Sequence, residues 1–300
     1  MAWSIGIDIG GTAIKAIAVH KDGTVIDRIT RPTNDNSDSL ADWVAHGKSV
    51  IEEFESIRGE SAKHVGLCAP GLADTQQRWI SYLPKRLEGI EGFDWSKALG
   101  RDFKVPVLND AHSALLGESW IGAAQEQQNI VLLTLGTGVG GAILADGRLL
   151  KGHIGRAGHL GHMSQDIDGP QSIANMPGAI ETMIGNATVG ARSNGRFSST
   201  RTLVDAYEAG DPLASEIWLT SIRALGCAIA SYINILDPEV VVVTGGITTA
   251  GDSLMTPLLK VLDEVEWRPG GHRVPIVFGK LDMWAGAMGA AYAALNPKSL

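Results

Sequence analysis

Hydrophobic and polar residues alternate near the start of the chain in a way that predicts three β-strands. Residues 5–9 and 13–20 alternate and are separated by the pair Gly10-Gly11, and residues 24–29 follow the turn signal Asp22-Gly23. Alternation of this kind is typical of half-buried strands, and Asp-Gly is a common hairpin turn. The N-terminal region is therefore predicted to form a three-stranded meander.

The same pattern recurs after residue 129. Residues 129–135 are an apolar run that ends in the glycine-rich stretch 136–141, and the chain then continues as 142–145, turns at Asp146-Gly147 and resumes at 148–150. Two ordinary hairpins with glycine turns would also fit. The matched glycine pairs and Asp-Gly turns favour two structurally related domains, each with a phosphate-binding loop.

Helical and strand-like segments alternate along the rest of the chain, apart from an irregular stretch over 151–190. Helices are predicted at 39–57, 94–99, 203–236 with a break near 210–212, 253–265 and 285–295, and buried strands at 65–71, 105–108, 240–243 and 274–278. Such alternation predicts an α/β protein.

Asp110 lies at the junction between the predicted strand 105–108 and a helix. Ligands bind at the carboxyl ends of strands in open α/β sheets, so Asp110 is the candidate general base. Aspartate is also a favoured N-cap, and Asp110 could do no more than satisfy the first amides of the helix. This stretch alone favours the capping role, and the glycine turns elsewhere favour catalysis.

Three glycine-containing turns carry the candidate nucleotide chemistry. Amides without side chains can approach phosphate oxygens, a hydroxyl can donate to them, and a carboxylate can hold a hydrated magnesium ion. The residues are Asp8, Gly10, Gly11, Thr12 and Lys15 at the first turn, Gly136, Thr137, Gly138 and Gly140 at the second, and Gly245 and Gly246 at the third. Each turn taken separately could be only a tight turn.

Composition narrows the classes of function. A net charge of -8 over 300 residues disfavours nucleic acid as a partner, and 44% hydrophobic residues allow a substantial core. No signal peptide is visible, and no apolar run reaches the length needed to span a bilayer. Cys68 and Cys227 cannot form a disulfide framework. We expect a soluble cytoplasmic protein that binds neither nucleic acid nor membrane.

In combination the motifs resemble the ROK family of sugar kinases and repressors, over essentially the whole chain. The resemblance rests on Asp8-Ile9-Gly10-Gly11-Thr12, Pro70-Gly71, Asn109-Asp110-Ala111, 136–141, Gly158-His159-Leu160-Gly161-His162, Gly178-Ala179-Ile180-Glu181 and Thr244-Gly245-Gly246. It implies an actin-like (ribonuclease H-like) α/β fold of two domains with a central cleft. We expect an N-terminal domain over 1–114, against which 285–300 packs, and a larger domain over 115–284.

The resemblance also implies an activity. Kinases of this family transfer the γ-phosphate of ATP to a hexose hydroxyl, usually on carbon 6, with Mg²⁺. Asp110 matches the catalytic base, Asp8 would hold Mg²⁺ through water, and the three glycine turns would bind ATP. The implied sugar-site residues are Gly71, Asn109, Asp110, His159, His162 and Glu181.

Two positions depart from the family pattern. The stretch 173–181 lacks the three cysteines of the family's zinc motif, and His159 stands where the family has a sugar-binding glutamate. Zinc is therefore not expected, although the set His153, His159, His162, Asp166 and Asp168 offers an alternative group of ligands. Burial of Ile173, Met176, Pro177 and Ile180 is expected to hold this stretch instead.

An ATP-dependent kinase for glucose or an N-acetylhexosamine, assembled as a homodimer, is the leading hypothesis. A ROK repressor would need a DNA-binding module before the first strand, and Asp8 lies too near the start for one. A sugar-binding or regulatory protein without catalysis is the remaining alternative, because His159 alters the expected sugar site.

Overall fold

The structure is a computed structural model that describes residues 2–34 and 37–297. Its strands are β1 (Trp3–Ile9), β2 (Ala13–His20), β3 (Val25–Pro32), β4 (Val65–Ala69), β5 (Leu72–Ala73), β6 (Ile80–Tyr82), β7 (Val107–Asn109), β8 (Ile130–Leu135), β9 (Val139–Ala145), β10 (Arg148–Leu149), β11 (Val240–Thr244) and β12 (Ile276–Phe278). Its α-helices are α1 (Leu40–Arg58), α2 (Trp95–Ala98), α3 (Asp110–Ile121), α4 (Ile180–Ile184), α5 (Val189–Arg192), α6 (Thr200–Glu208), α7 (Pro212–Leu236), α8 (Asp252–Val265) and α9 (Ala285–Leu295).

The chain divides into two compact units. The first contains Met1–Gln127, Asp146–Ala157 and Lys280–Leu300, and the second contains Gln128–Ala145 and Gly158–Gly279. This division differs from the expected boundary after residue 114, because the whole of α3 belongs to the first unit, as does the segment after the Asp146-Gly147 turn. The α3 helix is held there by α9, since a Cβ on Gly117 would lie 2.7 Å from Ala285 O.

The first unit is built on a sheet with the strand order β3-β2-β1-β4-β7. The first three strands form the antiparallel meander that the sequence predicts, and β4 and β7 continue the sheet in parallel with β1. In this register Asp8 lies beside Cys68, and Ala69 lies beside Asn109. The carboxyl ends of the three parallel strands therefore share one edge of the sheet.

Helix α9 packs so closely on this sheet that only glycine fits beneath it. A Cβ on Gly6 would lie 1.8 Å from Ala287 O, and one on Gly66 would lie 2.0 Å from Ala290 O. Contact with α3 is equally close, because a Cβ on Gly289 would lie 1.6 Å from Ser113 O. The small side chains of α9 thus let three backbones meet, and this packing fixes the helix that begins at Asp110.

In the second unit the strands run in the order β9-β8-β11-β12. Strand β9 is antiparallel to β8, whereas β11 is parallel to β8 and β12 is parallel to β11. The arrangement of strand, glycine turn and antiparallel strand, followed by a parallel neighbour, therefore occurs in both units. The hydrophobic core of the second unit includes Trp218, Ile229 and Leu258, each fully buried.

One helix of the second unit, α7, is long and apolar enough to cross a membrane by length and composition alone. The expectation that no apolar run reaches the length needed to span a bilayer was therefore wrong for this helix, by length and composition. Half of the apolar stretch of this helix is buried in the structure. Trp218, Leu225 and Ile229 face the core with no exposed area. One apolar face in a core and one polar face are typical of a helix in a globular domain.

Candidate active site

Asp8 lies near the carboxyl end of β1, at the turn predicted to bind phosphate. Its side chain is only 15% exposed, and Oδ2 lies 3.7 Å from Lys15 Nζ. The thiol of Cys68 donates to Oδ1 at 3.5 Å. The pKa of Asp8 is raised to about 6, mainly by burial; the charge of Lys15 opposes this rise, and the nearby charge of Asp110 adds to it. A desolvated carboxylate with a second carboxylate nearby is suited to bind a cation.

Gly10 closes the turn after β1. Its amide donates to Ala13 O at 3.0 Å, and the Thr33 hydroxyl donates to Gly10 O at 2.9 Å. A Cβ on Gly10 would lie 2.9 Å from Ala13 O. The turn itself therefore requires this glycine, whatever it binds. Thr12 is exposed beside it.

Asn109, rather than Asp110, is the N-cap of α3. Its Oδ1 accepts from Ala111 N at 2.9 Å and from His112 N at 3.1 Å. Asp110 is the first residue of the helix and is exposed, and its Oδ1 accepts from Ala111 N at 2.8 Å. The capping role that the sequence left open for Asp110 is therefore carried mainly by its neighbour.

Gly71 supports Asn109 from the turn after β4. The Asn109 Nδ2 group donates to Gly71 O at 2.9 Å. Gly71 has a φ of +102°, and a Cβ there would lie 2.8 Å from Tyr82 O. Glycine is needed both for the backbone conformation and for the close approach. The structure thus brings three of the predicted sugar-site residues, Gly71, Asn109 and Asp110, into one connected group.

In the second unit the loop 136–138 joins β8 to β9. The amide of Asn186 donates to Gly136 O, and the amide of Ala187 donates to Thr137 O, both at 2.9 Å. In a trans peptide the C=O and N–H groups point in opposite directions, so the next two amides, of Thr137 and Gly138, point away from this contact. Consecutive amides that point the same way form a concavity for anions.

The third glycine pair lies beside this loop, because β11 is parallel to β8. Gly245 has a φ of +96°, and a Cβ there would lie 2.4 Å from Leu135 O. A Cβ on Gly246 or on Gly136 would meet no atom within 4 Å. Gly245 is therefore required by packing, whereas Gly136 and Gly246 border open space. Gly140 lies within β9, opposite Thr134.

His162 and Glu181 form a pair in the second unit, with Nδ1 and Oε1 3.3 Å apart. The Glu181 side chain is 9% exposed, and its proximity raises the pKa of His162 against the opposing effect of burial. Neither atom has a well-aligned hydrogen-bond partner among the described residues. A Cβ on Gly138 would lie 2.8 Å from Glu181 Oε2, which places this carboxylate against the loop 136–138.

His159 joins this pair. Its ring stacks on that of His162, with centroids 6.2 Å apart and an angle of 11° between the planes. The Tyr232 hydroxyl donates to Leu160 O at 2.7 Å and fixes the segment between the two histidines. The structure therefore brings together His159, His162 and Glu181.

The stretch without cysteines is held by hydrogen bonds and by one buried side chain. Ser164 Oγ donates to Pro177 O at 2.6 Å, and Ile180 is 1% exposed. The expectation that Ile173 is buried was wrong: it is 90% exposed, and the neighbouring Ser172 is buried and accepts from Ala174 N. Over residues 2–34 and 37–297, no group of three or more His, Cys, Asp or Glu residues is arranged to hold a metal ion.

Sequence reasoning missed several residues that surround the predicted ones. A Cβ on Gly286 would lie 3.1 Å from Asp8 Oδ2 and 3.2 Å from Cys68 Sγ. Alignment of the parallel strands β1 and β4 would have revealed Cys68. Nothing local indicates Gly286 or Asn186, because each lies near the predicted residues of its own unit only through long-range packing.

Comparison with known proteins places this geometry in a family. The model of the ROK family matches residues 4–296. A glucokinase of Thermotoga maritima is 31% identical over 291 residues, 87% of each chain, and an N-acetylmannosamine kinase of Vibrio cholerae is 31% identical over 96% of this chain and 98% of its own. The solved structure of a ROK hexokinase from Thermus thermophilus superposes with a TM-score of 0.87 at 29% identity, over 98% of both chains.

These findings confirm the predicted fold class, since the solved relatives are ROK sugar kinases with the actin-like α/β fold. The kinase relatives also support the assignment of this chain as a sugar kinase. By the match of the family model over nearly its whole length, the chain belongs to the ROK family.

Proposed function

We propose that the chain is an ATP-dependent hexose kinase that phosphorylates the 6-hydroxyl of its sugar, with Asp110 as the general base. The observation that carries the proposal is the different environment of the two polar residues at the end of β7. Asn109 supplies the helix cap, and Asp110 remains exposed next to the desolvated Asp8. An exposed carboxylate at a strand–helix junction suits a group that accepts a hydroxyl proton, which supports the proposal.

Each step has a candidate group. The sugar hydroxyl attacks the γ-phosphorus, its proton passes to the Asp110 carboxylate, and the bond to the bridging oxygen breaks to release ADP. The amides of Thr137 and Gly138 would bind phosphate oxygens. Mg²⁺ would neutralise charge on the phosphates, and it fits here because it retains waters and uses few carboxylates. Asp8 is the residue that would hold it through water.

The related kinases act on glucose and on N-acetylmannosamine, and we propose a sugar of one of these two kinds. The cluster of His159, His162 and Glu181 would contact its hydroxyls or acetamido group. Homodimer formation is proposed on the family resemblance and is tested by sedimentation equilibrium. A sugar-binding protein without catalysis is the second candidate, because the histidine at 159 lies directly against His162.

The test is an ADP-release assay with ATP, Mg²⁺ and a panel of glucose, mannose, N-acetylglucosamine, N-acetylmannosamine, fructose and allose. The product of each active sugar is identified by ³¹P and ¹³C NMR. The proposal expects sugar-dependent ADP release and a phosphate on carbon 6. Sugar binding by calorimetry without ADP release would favour the non-catalytic candidate, and phosphate on carbon 1 would overturn the proposed position of transfer.

A further inference from the structure

Arg192, at the end of α5, is a partly buried cation, and its hydrogen bonds within residues 2–34 and 37–297 all go to neutral oxygens. Its guanidinium donates to Ser221 Oγ at 2.6 Å, to Gly185 O at 3.1 Å and to Thr188 Oγ1 at 3.2 Å. No carboxylate among the described residues forms an ion pair with it, and burial lowers its pKa to about 10. Desolvation of a guanidinium costs free energy. A partly buried arginine without a carboxylate partner is therefore expected to have a specific role.

The three acceptors connect a core helix to the segment that supports the loop 136–138. Ser221 lies on α7 and is 2% exposed. Gly185 and Thr188 flank Asn186 and Ala187, whose amides hold the carbonyls of Gly136 and Thr137. Arg192 therefore clamps both ends of this four-residue segment to the interior of the second unit.

The segment also packs directly on the loop. A Cβ on Gly185 would lie 2.8 Å from Thr137 O and 3.1 Å from Gly138 Cα. A shift of the segment would thus move the carbonyls that it binds, and each peptide plane that rotated would turn its amide away from the anion position.

We propose that Arg192 is a positioning residue for the nucleotide: it orients the Thr137 and Gly138 amides toward the phosphates by clamping 185–188, and its unpaired charge adds to the attraction for anions. The role rests on the proposed function, since it takes ATP as the ligand of this loop. In this role Arg192 acts through its hydrogen bonds to Gly185 and Thr188.

The test compares Arg192→Met and Arg192→Lys with wild type by calorimetric binding of the ATP analogue AMPPNP in the presence of Mg²⁺, without sugar. We expect the dissociation constant to rise at least tenfold in Arg192→Met. A smaller rise is expected in Arg192→Lys, because an ammonium keeps the charge but loses the planar fork of donors. In steady-state assays KM for ATP should rise in parallel, with KM for the sugar within twofold of wild type.

Arg223→Met is the matched control, because Arg223 on α7 is 68% exposed and lies 3.9 Å from Glu264. It should bind AMPPNP like wild type. If Arg192→Met does not fold, Thr188→Val removes one acceptor of the clamp and should weaken AMPPNP binding several-fold. Unchanged AMPPNP affinity in the folded variants, or equal changes in both KM values with a lower melting temperature, would overturn the positioning role.

The outcomes separate this inference from the proposed function. Wild-type protein that binds AMPPNP but phosphorylates no hexose would contradict the proposed function and still test Arg192. Wild-type protein that does not bind AMPPNP would overturn both.

Discussion

Asn109 and Asp110 are adjacent polar residues in different environments: Asn109 caps α3, and Asp110 is the exposed first residue of the helix. The sequence located the pair correctly at the end of a strand, because an apolar run before two polar residues is a local signal. It could not divide the roles, since asparagine and aspartate are equally good N-caps. The division depends on Gly71, whose carbonyl fixes the Asn109 side chain and lies 38 residues away in the chain.

Asp8 has a pH-dependent effect on stability that follows from its raised pKa. A shift from 3.8 to about 6 corresponds to a destabilisation of roughly 3 kcal/mol when the carboxylate is ionised. For a carboxyl group whose folded pKa is raised, stability is highest below the unfolded pKa and is lost as pH rises through about 6. We therefore expect Asp8→Asn to be more stable than wild type at pH 7.5.

Urea unfolding in EDTA at pH 4, 5, 6 and 7.5 checks this expectation. The difference between Asp8→Asn and wild type should be small at pH 4 and should grow toward pH 7. The same variant should lose catalytic activity with Mg²⁺-ATP. A difference in stability that is constant over the whole range would show that burial of the charge is not its cause.

At the scale of elements, the glycine turns were recognisable from sequence, but the reason why each position needs glycine was not. Gly10 and Gly245 are required because of contacts with Ala13 O and Leu135 O. Gly136 and Gly246 border open space. The difference arises from where neighbouring strands lie, which the spacing of glycines does not encode.

This difference gives a test of the nucleotide site. Gly136→Ala and Gly246→Ala should leave the melting temperature within about 2 °C of wild type and raise KM for ATP several-fold, because the methyl group would enter the space that we propose for the nucleotide. Gly190→Ala is the matched control, as a Cβ there meets only Phe197 O at 4.0 Å. Destabilisation by Gly136→Ala, or an equal rise in both KM values, would count against this assignment.

The stretch 163–181 shows where the sequence was least informative. The absence of the family's cysteines was evident, but the residues that replace their structural role were not. Ile180 is buried and Ile173 is exposed, because the chain turns at the hydrogen-bonded Ser172.

We expect Ile180→Asp to reduce the free energy of unfolding by roughly 3 kcal/mol or more, since it places an unpaired charge in a core. Ile173→Asp should change it by less than about 0.5 kcal/mol. Chemical denaturation of both variants measures the contrast. Equal effects of the two substitutions would mean that the stretch packs differently.

At the scale of the whole molecule, the sequence predicted two related α/β units but not which segments make up each. The first unit gathers three separate stretches of chain. The last of these stretches is held by close contact of α9 with glycines in β1, β4 and α3. Such long-range packing leaves only a compositional trace, in this case the alanines and glycines of the last helix.

Substrate choice is a property of the complete enzyme, and we expect His159 to influence it. Imidazole cannot accept two hydroxyl protons as a carboxylate does. His159→Glu should therefore change the ranking of kcat/KM among hexoses, by roughly tenfold for at least one pair of sugars. The hexose panel measures this ranking. If kcat/KM changed by the same factor for every sugar, His159 would have a structural role and no role in substrate choice.

The central claim is that Asp110 accepts the proton of the sugar hydroxyl during phosphoryl transfer. The most direct measurement is kcat for sugar-dependent ADP release by Asp110→Asn, alongside its melting temperature and its affinity for AMPPNP. The amide is nearly isosteric and can still accept from Ala111 N, so the fold and nucleotide binding should persist. We predict that kcat falls on the order of a hundredfold or more. A kcat within a few-fold of wild type in a folded, nucleotide-binding variant would contradict the account.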